Sequence, residues 1–283
     1  MTRGDQVFRQ LQNLARTAGR SEGKAPPTSD YVIRHGLESF LARLARTEHA
    51  HDFILKGGVL VGVYGVRRPT RDVDAEAVRA RVTADHIAQV VADLSAVDAD
   101  DGLVFDLATL TVQEIREAAE YPGLRTRVKA SLASQSVTVA WDVSTGDPIV
   151  PTPQMVTIPR ILGEPIEMLA YAAETIVAEK GVTILERGTT STRWRDYIDI
   201  VQLAERRGVD QEELLRSARA VARYRKVTLS PIGPLVEGYG AVAQARWAAW
   251  RKKENVEAIS EESLDDQMAK VAGVLDPAFR HGS

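Results

Sequence analysis

The hydrophobic pattern changes its period near the middle of this chain, and that change limits the folds open to it. Between Leu103 and Val143 apolar and polar residues mostly alternate, as they do in half-buried strands. Beyond Glu164 the apolar spacing becomes helical almost to the end. The predicted strands cover 103–107, 124–132 and 136–143, and the predicted helices cover 168–187, 192–207, 210–223, 238–253 and 261–275. Strands followed by helices indicate an α+β protein.

The first hundred residues add further helices and one short strand. The apolar spacing predicts helices at 5–18, 33–44 and 83–94 and a strand at 53–55. Two prolines interrupt helical spacing within 21–29, which we interpret as a linker. We place a domain boundary at residue 160, giving an α/β domain with N-terminal helices over 1–160 and a helical domain over 161–283.

The stretch 55–74 carries the strongest chemical signal. A Gly57-Gly58 turn opens an apolar helix, and an arginine-rich turn then leads to a strand with Asp72 and Asp74. Side chains alternate along a strand, so these two carboxylates share one face. They repel each other unless a cation lies between them, and Mg²⁺ favours such oxygen ligands. The glycine pair could present backbone N–H groups to a phosphate at the helix N-terminus. Together the two features indicate a nucleotidyltransferase, although each alone also fits an ordinary turn or a solvated strand end.

Asp142 lies inside a predicted core strand, where an unpaired carboxylate is costly. If that strand lies beside 72–74, Asp142 becomes a third carboxylate of the metal site. Alternatively, it is a strand-end acid that accepts hydrogen bonds from the turn 144–146.

A second group of charged residues follows in the helical half. Lys180 lies on or beside an apolar stripe, so its ammonium either extends to the surface or points into a cleft where phosphates neutralise it. Asp196 and Asp199 are three residues apart on neighbouring positions of a helix, and arginines 193 and 195 flank them. A local Arg–Asp network on the surface is the alternative interpretation.

Composition narrows the class of protein. The chain of 283 residues has no cysteine, which excludes disulfides and thiolate metal sites. Its formal net charge of −3 means that any nucleic-acid contact must come from local basic patches. No apolar run approaches the roughly 20 residues of a membrane helix, and the N-terminus lacks a secretion signal. We therefore expect a cytoplasmic protein. We also expect His49 and His51 to be surface residues without an acidic partner.

Four sequence blocks, in this order, resemble the nucleotidyltransferase-like toxins of the AbiEii/AbiGii family, and within it the mycobacterial MenT group. The blocks are Lys56-Gly57-Gly58, Arg71-Asp72-Val73-Asp74, Lys180 in AEKGVTIL, and Arg195-Asp196-Tyr197-Ile198-Asp199. The resemblance implies a cytoplasmic toxin that transfers nucleotides from an NTP to tRNA and thereby blocks translation. It also implies a separately encoded antitoxin as partner, and a helical domain that completes the active site. Many such enzymes have Gly-Ser where this chain has Gly57-Gly58, so a serine hydroxyl contact is lost here.

The resemblance also implies roles for individual residues. Asp72 and Asp74 would hold Mg²⁺ or Mn²⁺, and Asp142 could share a second ion. The triphosphate would be bound by a set of cationic and glycine residues: Lys56, Gly57, Gly58, Arg71 and Lys180. Asp196 or Asp199 would orient Lys180, Arg71 or the attacking hydroxyl. Some relatives are silenced by phosphorylation at the place of Thr70, which suggests a regulatory role for this residue.

The acceptor remains open at this stage. RNA would need basic surface, and the candidate clusters are Arg67, Arg68 and Arg71; Arg216, Arg219, Arg223, Arg225 and Lys226; and Arg251, Lys252 and Lys253. Each cluster could equally be a solvated helix end. Transfer to a protein or a small molecule is an alternative, and so is a non-catalytic family member that only binds a partner.

Overall fold

The computed structural model describes residues 1–22, 26–66, 70–80, 82–115 and 123–281. The strands are β1 Phe53–Lys56, β2 Asp72–Ala77, β3 Leu103–Glu114, β4 Gly123–Leu132, β5 Gln135–Ser144, β6 Gln154–Ile158 and β7 Ile166–Ala170. The helices are α1 Arg3–Glu22, α2 Thr28–Leu44, α3 Gly57–Val63, α4 Ala84–Ala96, α5 Ala173–Arg187, α6 Trp194–Arg207, α7 Gln211–Arg225, α8 Gly233–Val236, α9 Tyr239–Glu254 and α10 Leu264–Phe279. The α+β prediction is confirmed.

Within the residues that the structure describes, seven strands form one mixed sheet in the order β3-β4-β5-β2-β1-β7-β6. β3, β4 and β5 form an antiparallel meander, whereas β5 pairs with β2 in parallel. β2 is antiparallel to β1, and β1 is parallel to β7. The predicted hairpin is therefore confirmed, and the strand of Asp142 does lie beside that of Asp72 and Asp74.

The chain divides into two compact units. Unit 1 comprises Met1–Leu60, Pro69–Gly146 and Met155–Ala170, and unit 2 comprises Val61–Arg68, Asp147–Gln154 and Tyr171–Ser283. The sheet belongs to unit 1, and helices α5 to α10 belong to unit 2.

The core of unit 1 shows why β5 presents its acids on one side. Val137, Val139, Trp141 and Val143 are buried on alternate positions of β5. Trp141 packs against Phe40 of α2, with ring centroids 5.4 Å apart. The intervening residues of β5 therefore point to the other face of the sheet, as the period of two requires.

The predicted helix at 168–187 is wrong at its start. Residues Ile166–Ala170 form β7, in which Ile166, Met168 and Ala170 are buried on alternate positions. Leu55 of β1 pairs with Ala170, and α5 begins only at Ala173. Five residues are too few for the period of two to stand out beside a long helical pattern.

Candidate functional site

Four charged residues form a row across four neighbouring strands of unit 1. Lys56 of β1 is the register partner of Asp74 on β2, and Asp74 is the partner of Asp142 on β5. Arg125 of β4 lies opposite Asp142 in turn. Register partners in a sheet project from the same face. The row therefore has a positively charged residue at each end and two neighbouring carboxylates in its middle.

β2 adds a second line of acids that crosses this row. Asp72, Asp74 and Glu76 occupy alternate positions of the strand and share its face. Glu76 is 1% exposed; it accepts hydrogen bonds from Lys56 Nζ at 2.8 Å and from Ser144 Oγ at 2.7 Å, both at Oε2. Its Oε1 is buried and has no hydrogen-bond partner in the part of the chain that the structure describes. Glu76 was not predicted, although its spacing after Asp74 continues the same period of two.

The Gly57-Gly58 turn brings the backbone against Asp74. Gly57 has a φ of 68°, and a Cβ atom there would lie 1.9 Å from Asp74 Oδ2. Any larger residue would therefore have to displace the carboxylate. The Gly58 N–H donates a hydrogen bond to Asp74. In this structure that amide thus contacts a carboxylate, whereas the sequence predicted a contact with a phosphate.

Asp74 holds the most strongly perturbed carboxyl group of this cluster. Burial raises its pKa, and the charges of Asp72 and Asp142 raise it further, to about 6. Lys56 and the Gly58 N–H oppose this rise. Negative charge thus exceeds positive charge around Asp74, and a divalent cation would neutralise the excess. The donors are hard oxygen atoms, so the residues present fit Mg²⁺ or Mn²⁺.

Asp142 is held by Arg125 of the neighbouring strand β4. Nε of Arg125 donates to Oδ1 of Asp142 at 2.7 Å, and its second guanidinium nitrogen contacts Oδ2. The side chain of Asp142 is 14% exposed. The condition of the first alternative is met, because the strand lies beside β2, and the carboxylate also forms an ion pair with Arg125 of β4. The role of Asp142 as a third carboxylate of the metal site stays a prediction.

Unit 2 contains a buried cluster of charged residues that joins α5 to α6. Lys180 Nζ lies 3.0 Å from Asp199 Oδ2 and also contacts Asp196, whose other oxygen accepts from Arg193 Nε at 2.8 Å. The side chains of Lys180, Asp196 and Asp199 are 15%, 8% and 0% exposed. The surface interpretation is therefore wrong for all three. Arg195 instead forms an ion pair with Glu254 of α9.

The cations determine the protonation state of Asp196. Burial alone would raise the pKa of its carboxyl group, but Lys180 and Arg193 lower it to about 2 through their charges and hydrogen bonds. Asp196 is consequently ionised at neutral pH. Gly181 allows close packing beside Lys180, since a Cβ atom there would lie 2.7 Å from Phe279 Cζ.

The remaining predicted residues are distributed over both units. In unit 1, Arg71 lines a cavity of 380 Å³ together with α1, α2 and β5, and Thr70 beside it is partly exposed. Arg67 and Arg68 lie outside the described residues. In unit 2, Arg225 forms an ion pair with Asp147, and its side chain is 11% exposed.

Other members of the basic clusters also have partners within unit 2. Arg251 is 8% exposed, lies over the Trp247 ring and donates to Ser260. Arg216 pairs with Glu213 on the same helix. Lys252 and Lys253 are exposed. The basic surface available to a nucleic acid is thus smaller than the sequence suggests.

The comparisons with known proteins agree with this architecture. The family model "Nucleotidyl transferase AbiEii toxin, Type IV TA system" matches residues 39–280. JHP933 from Helicobacter pylori is similar in structure, with a TM-score of 0.56 and 14% identity over 90% of this chain and 93% of that one. A candidate nucleotidyltransferase from H. pylori has a TM-score of 0.50 and 14% identity over 88% of this chain and 94% of that one. Such low identities establish a shared fold alone. No curated protein matches the chain.

Within the described ranges, no helix combines the length of a membrane span with a sufficiently apolar sequence.

Proposed function

We propose that this chain, which belongs to the AbiEii family of nucleotidyl transferase toxins from type IV toxin–antitoxin systems, transfers a nucleotide from an NTP to tRNA and releases pyrophosphate. The modification of tRNA thereby blocks translation. One observation carries the proposal. Asp72 and Asp74 share a face of β2, beside a glycine turn that leaves no room for a side chain near Asp74.

Asp72 and Asp74 are the residues that would hold the cation. When bound, Mg²⁺ or Mn²⁺ neutralises charge on the triphosphate and on the leaving pyrophosphate. Lys56 and Glu76 position the end of β1 relative to β2 through their 2.8 Å ion pair. Asp142 contributes negative charge to the cluster, but Arg125 already occupies both of its carboxylate oxygens.

Lys180 is assigned to the triphosphate oxygens as a compact positive charge. Asp199 is a positioning residue, because its fully buried carboxylate holds the ammonium from one side at 3.0 Å. Asp196 holds the same ammonium and is itself oriented by Arg193. Arg71, Gly57 and Gly58 remain candidates for additional phosphate contacts.

The partners follow from the family. A type IV toxin has a cognate antitoxin, and we place both in the cytoplasm. The MenT-like character of the chain and its choice of tRNA rest on the four sequence blocks. Transfer to a protein or a small molecule is the second candidate among enzymes. A non-catalytic binder is disfavoured, because the chain retains both acids of the pair as well as Lys180.

The test is incubation with each labelled NTP and total RNA, with and without Mg²⁺. We expect label in the tRNA fraction only with the cation, and a loss of at least about a hundredfold in Asp72→Asn and Asp74→Asn. Asp106→Asn, which changes an exposed acid on β3, serves as the matched control. Circular dichroism checks that all three variants fold.

Three outcomes would contradict the proposal or redirect it. Near-wild-type transfer by either variant would exclude the two-carboxylate site. Label found in protein or in a small molecule would replace tRNA as the acceptor. No label with any NTP and acceptor would favour the partner-binding role.

A further inference from the structure

The prediction that His49 is a surface residue without an acidic partner is wrong. It lies in the 3-10 helix Glu48–His51, before β1, and is only 8% exposed. Its Nε2 lies 2.9 Å from Asp93 Oδ2 on α4. His51, two residues further on, is exposed as expected. The two histidines of one short helix thus have different environments.

The surroundings of His49 provide several ligand atoms at one place. One atom each from Glu48, His49 and Asp93 lie within 4.8 Å of one another. Among the residues that the structure describes, this is the single group of three such side chains with so close an approach. Gln89 donates to the other oxygen of Asp93 at 2.8 Å and so holds that carboxylate in place.

The other nitrogen of His49 also faces a carboxylate. Nδ1 lies 3.9 Å from Asp52 Oδ2. Histidines that bind metal ions through one nitrogen commonly donate from the other nitrogen to a carboxylate, which orients the ring. A carboxylate thus faces each nitrogen of His49, Asp93 at Nε2 and Asp52 at Nδ1.

A second imidazole supplies an independent indication of a ligand. His86 of α4 packs edge-on against His49, with ring centroids 5.7 Å apart. Its Nε2 is shielded from solvent and has no hydrogen-bond partner within the described ranges. A buried ring nitrogen without a partner is costly, and a metal ion would satisfy it. Two imidazoles on one tetrahedral ion have ring centres about 5 Å apart, close to the observed separation.

We propose that Glu48, His49 and Asp93 form a second cation site, which takes Zn²⁺ or a similar transition-metal ion, and that His86, which lies outside this close group, turns its Nε2 toward the ion to complete the coordination. Two imidazoles and two carboxylates suit such ions, whereas Mg²⁺ prefers oxygen ligands alone. Glu48, Asp52 and Asp93 supply the negative charge that a divalent ion requires. The site ties α4 to the segment that enters β1.

This site is distinct from the carboxylates of β2. The helix Glu48–His51 precedes Phe53 at the start of β1, while Lys56 beside Asp74 stands at its end. Three residues of strand separate the two ends by roughly 10 Å. The ligands of the second site are also chemically different, so the two sites can be titrated separately.

The experiment measures Zn²⁺ binding by the full, untagged chain in excess Mg²⁺, using equilibrium dialysis and thermal unfolding. We expect one Zn²⁺ per chain and a rise in the unfolding temperature on addition of the ion. His49→Gln and Asp93→Asn should each weaken binding at least about tenfold. The matched control is His51→Gln, an exposed histidine on the same helix. Asp72→Asn should bind Zn²⁺ at this site as the wild type does.

Cobalt provides a second measurement that does not depend on stability. Co²⁺ in place of Zn²⁺ should give the strong visible absorption of a four-coordinate ion, and His86→Gln should reduce it. Asp93, whose side chain is 37% exposed, tests the site even if His49→Gln fails to fold. Absence of saturable binding, or equal binding by the His51→Gln and Asp93→Asn variants, would overturn the proposal.

Discussion

Arg125 and Asp142 face each other on neighbouring antiparallel strands, and the guanidinium contacts both carboxylate oxygens. A bidentate pair of this kind is among the stronger hydrogen-bonded contacts in proteins. It lies next to Asp74, which is the register partner of Asp142 on the other side. Arg125 therefore competes with any cation for the charge of Asp142.

We expect Arg125→Gln to tighten Mg²⁺ binding by about tenfold, because it removes a positive charge beside the carboxylates. Calorimetric titration with Mg²⁺ measures the change. Arg127→Gln is the matched control, since Arg127 projects from the same face of β4 but is exposed. Equal Mg²⁺ affinity in the Arg125 variant and the wild type would show that the ion pair does not affect the cation site.

Lys180→Met should have two effects that a second substitution separates. It removes the proposed triphosphate contact, and it leaves Asp199 buried without its cation, which costs about 3–5 kcal/mol of the free energy of unfolding. We expect Lys180→Met with Asp199→Asn to recover most of this stability but not the affinity for a non-hydrolysable NTP. Urea unfolding and calorimetric titration measure the two quantities.

Lys270→Met is the control for the loss of a lysine in unit 2, because Lys270 is half-exposed. If the double variant binds the NTP as tightly as the wild type, Lys180 is a structural residue. If the single variant is as stable as the wild type, the buried ion pair contributes little.

The lowered pKa of Asp196 predicts how the stability depends on pH. The native carboxyl group titrates at about 2 rather than at the ordinary value of 3.8, so the unfolded chain takes up a proton first as the pH falls. The contribution of the Asp196 carboxylate to the free energy of unfolding is complete above the pKa of the unfolded state. It is lost as the pH falls through the pKa of the native state. It amounts to about 2 kcal/mol.

Urea unfolding across this range of pH, compared between the wild type and Asp196→Asn, measures the contribution. The variant should lose part of the pH dependence, whereas Asp30→Asn, at an exposed position, should keep it. Parallel curves for the wild type and Asp196→Asn would contradict the prediction.

Thr70 provides a prediction about how nucleotide transfer is regulated. A phosphate on its hydroxyl would add about −1.5 to −2 charges directly before Arg71 and Asp72, where incoming NTP also brings negative charge. We expect phosphorylation to stop transfer and Thr70→Glu to reduce it partially. Peptide mapping after co-expression with the antitoxin identifies the modification.

The control for added charge is Thr111→Glu at an exposed position of β3. A phosphorylated Thr70 species with full transfer activity would refute the regulatory role. If the residue is never modified, Thr70 serves the turn alone.

Local patterns in the sequence were sufficient for much of this protein. The period of two correctly predicted the β4–β5 hairpin and the common face of Asp72 and Asp74. Helical spacing located α5 to α7, α9 and α10 to within a few residues, except at the start of α5. These features depend on neighbours in sequence, which is why the pattern of side chains along the chain reveals them. The domain boundary at residue 160 stays a prediction.

The partners of the charged residues were decided by the tertiary structure. Arg125 meets Asp142 and Lys56 meets Glu76 across 17 and 20 residues of sequence, and His49 reaches Asp93 across 44. Periodicity indicates which face of a strand a residue occupies, but not which strand lies beside it or in which register. Strand order and register depend on burying the whole apolar surface at once. The basic side chain that pairs with each carboxylate is therefore determined only when the sheet has assembled.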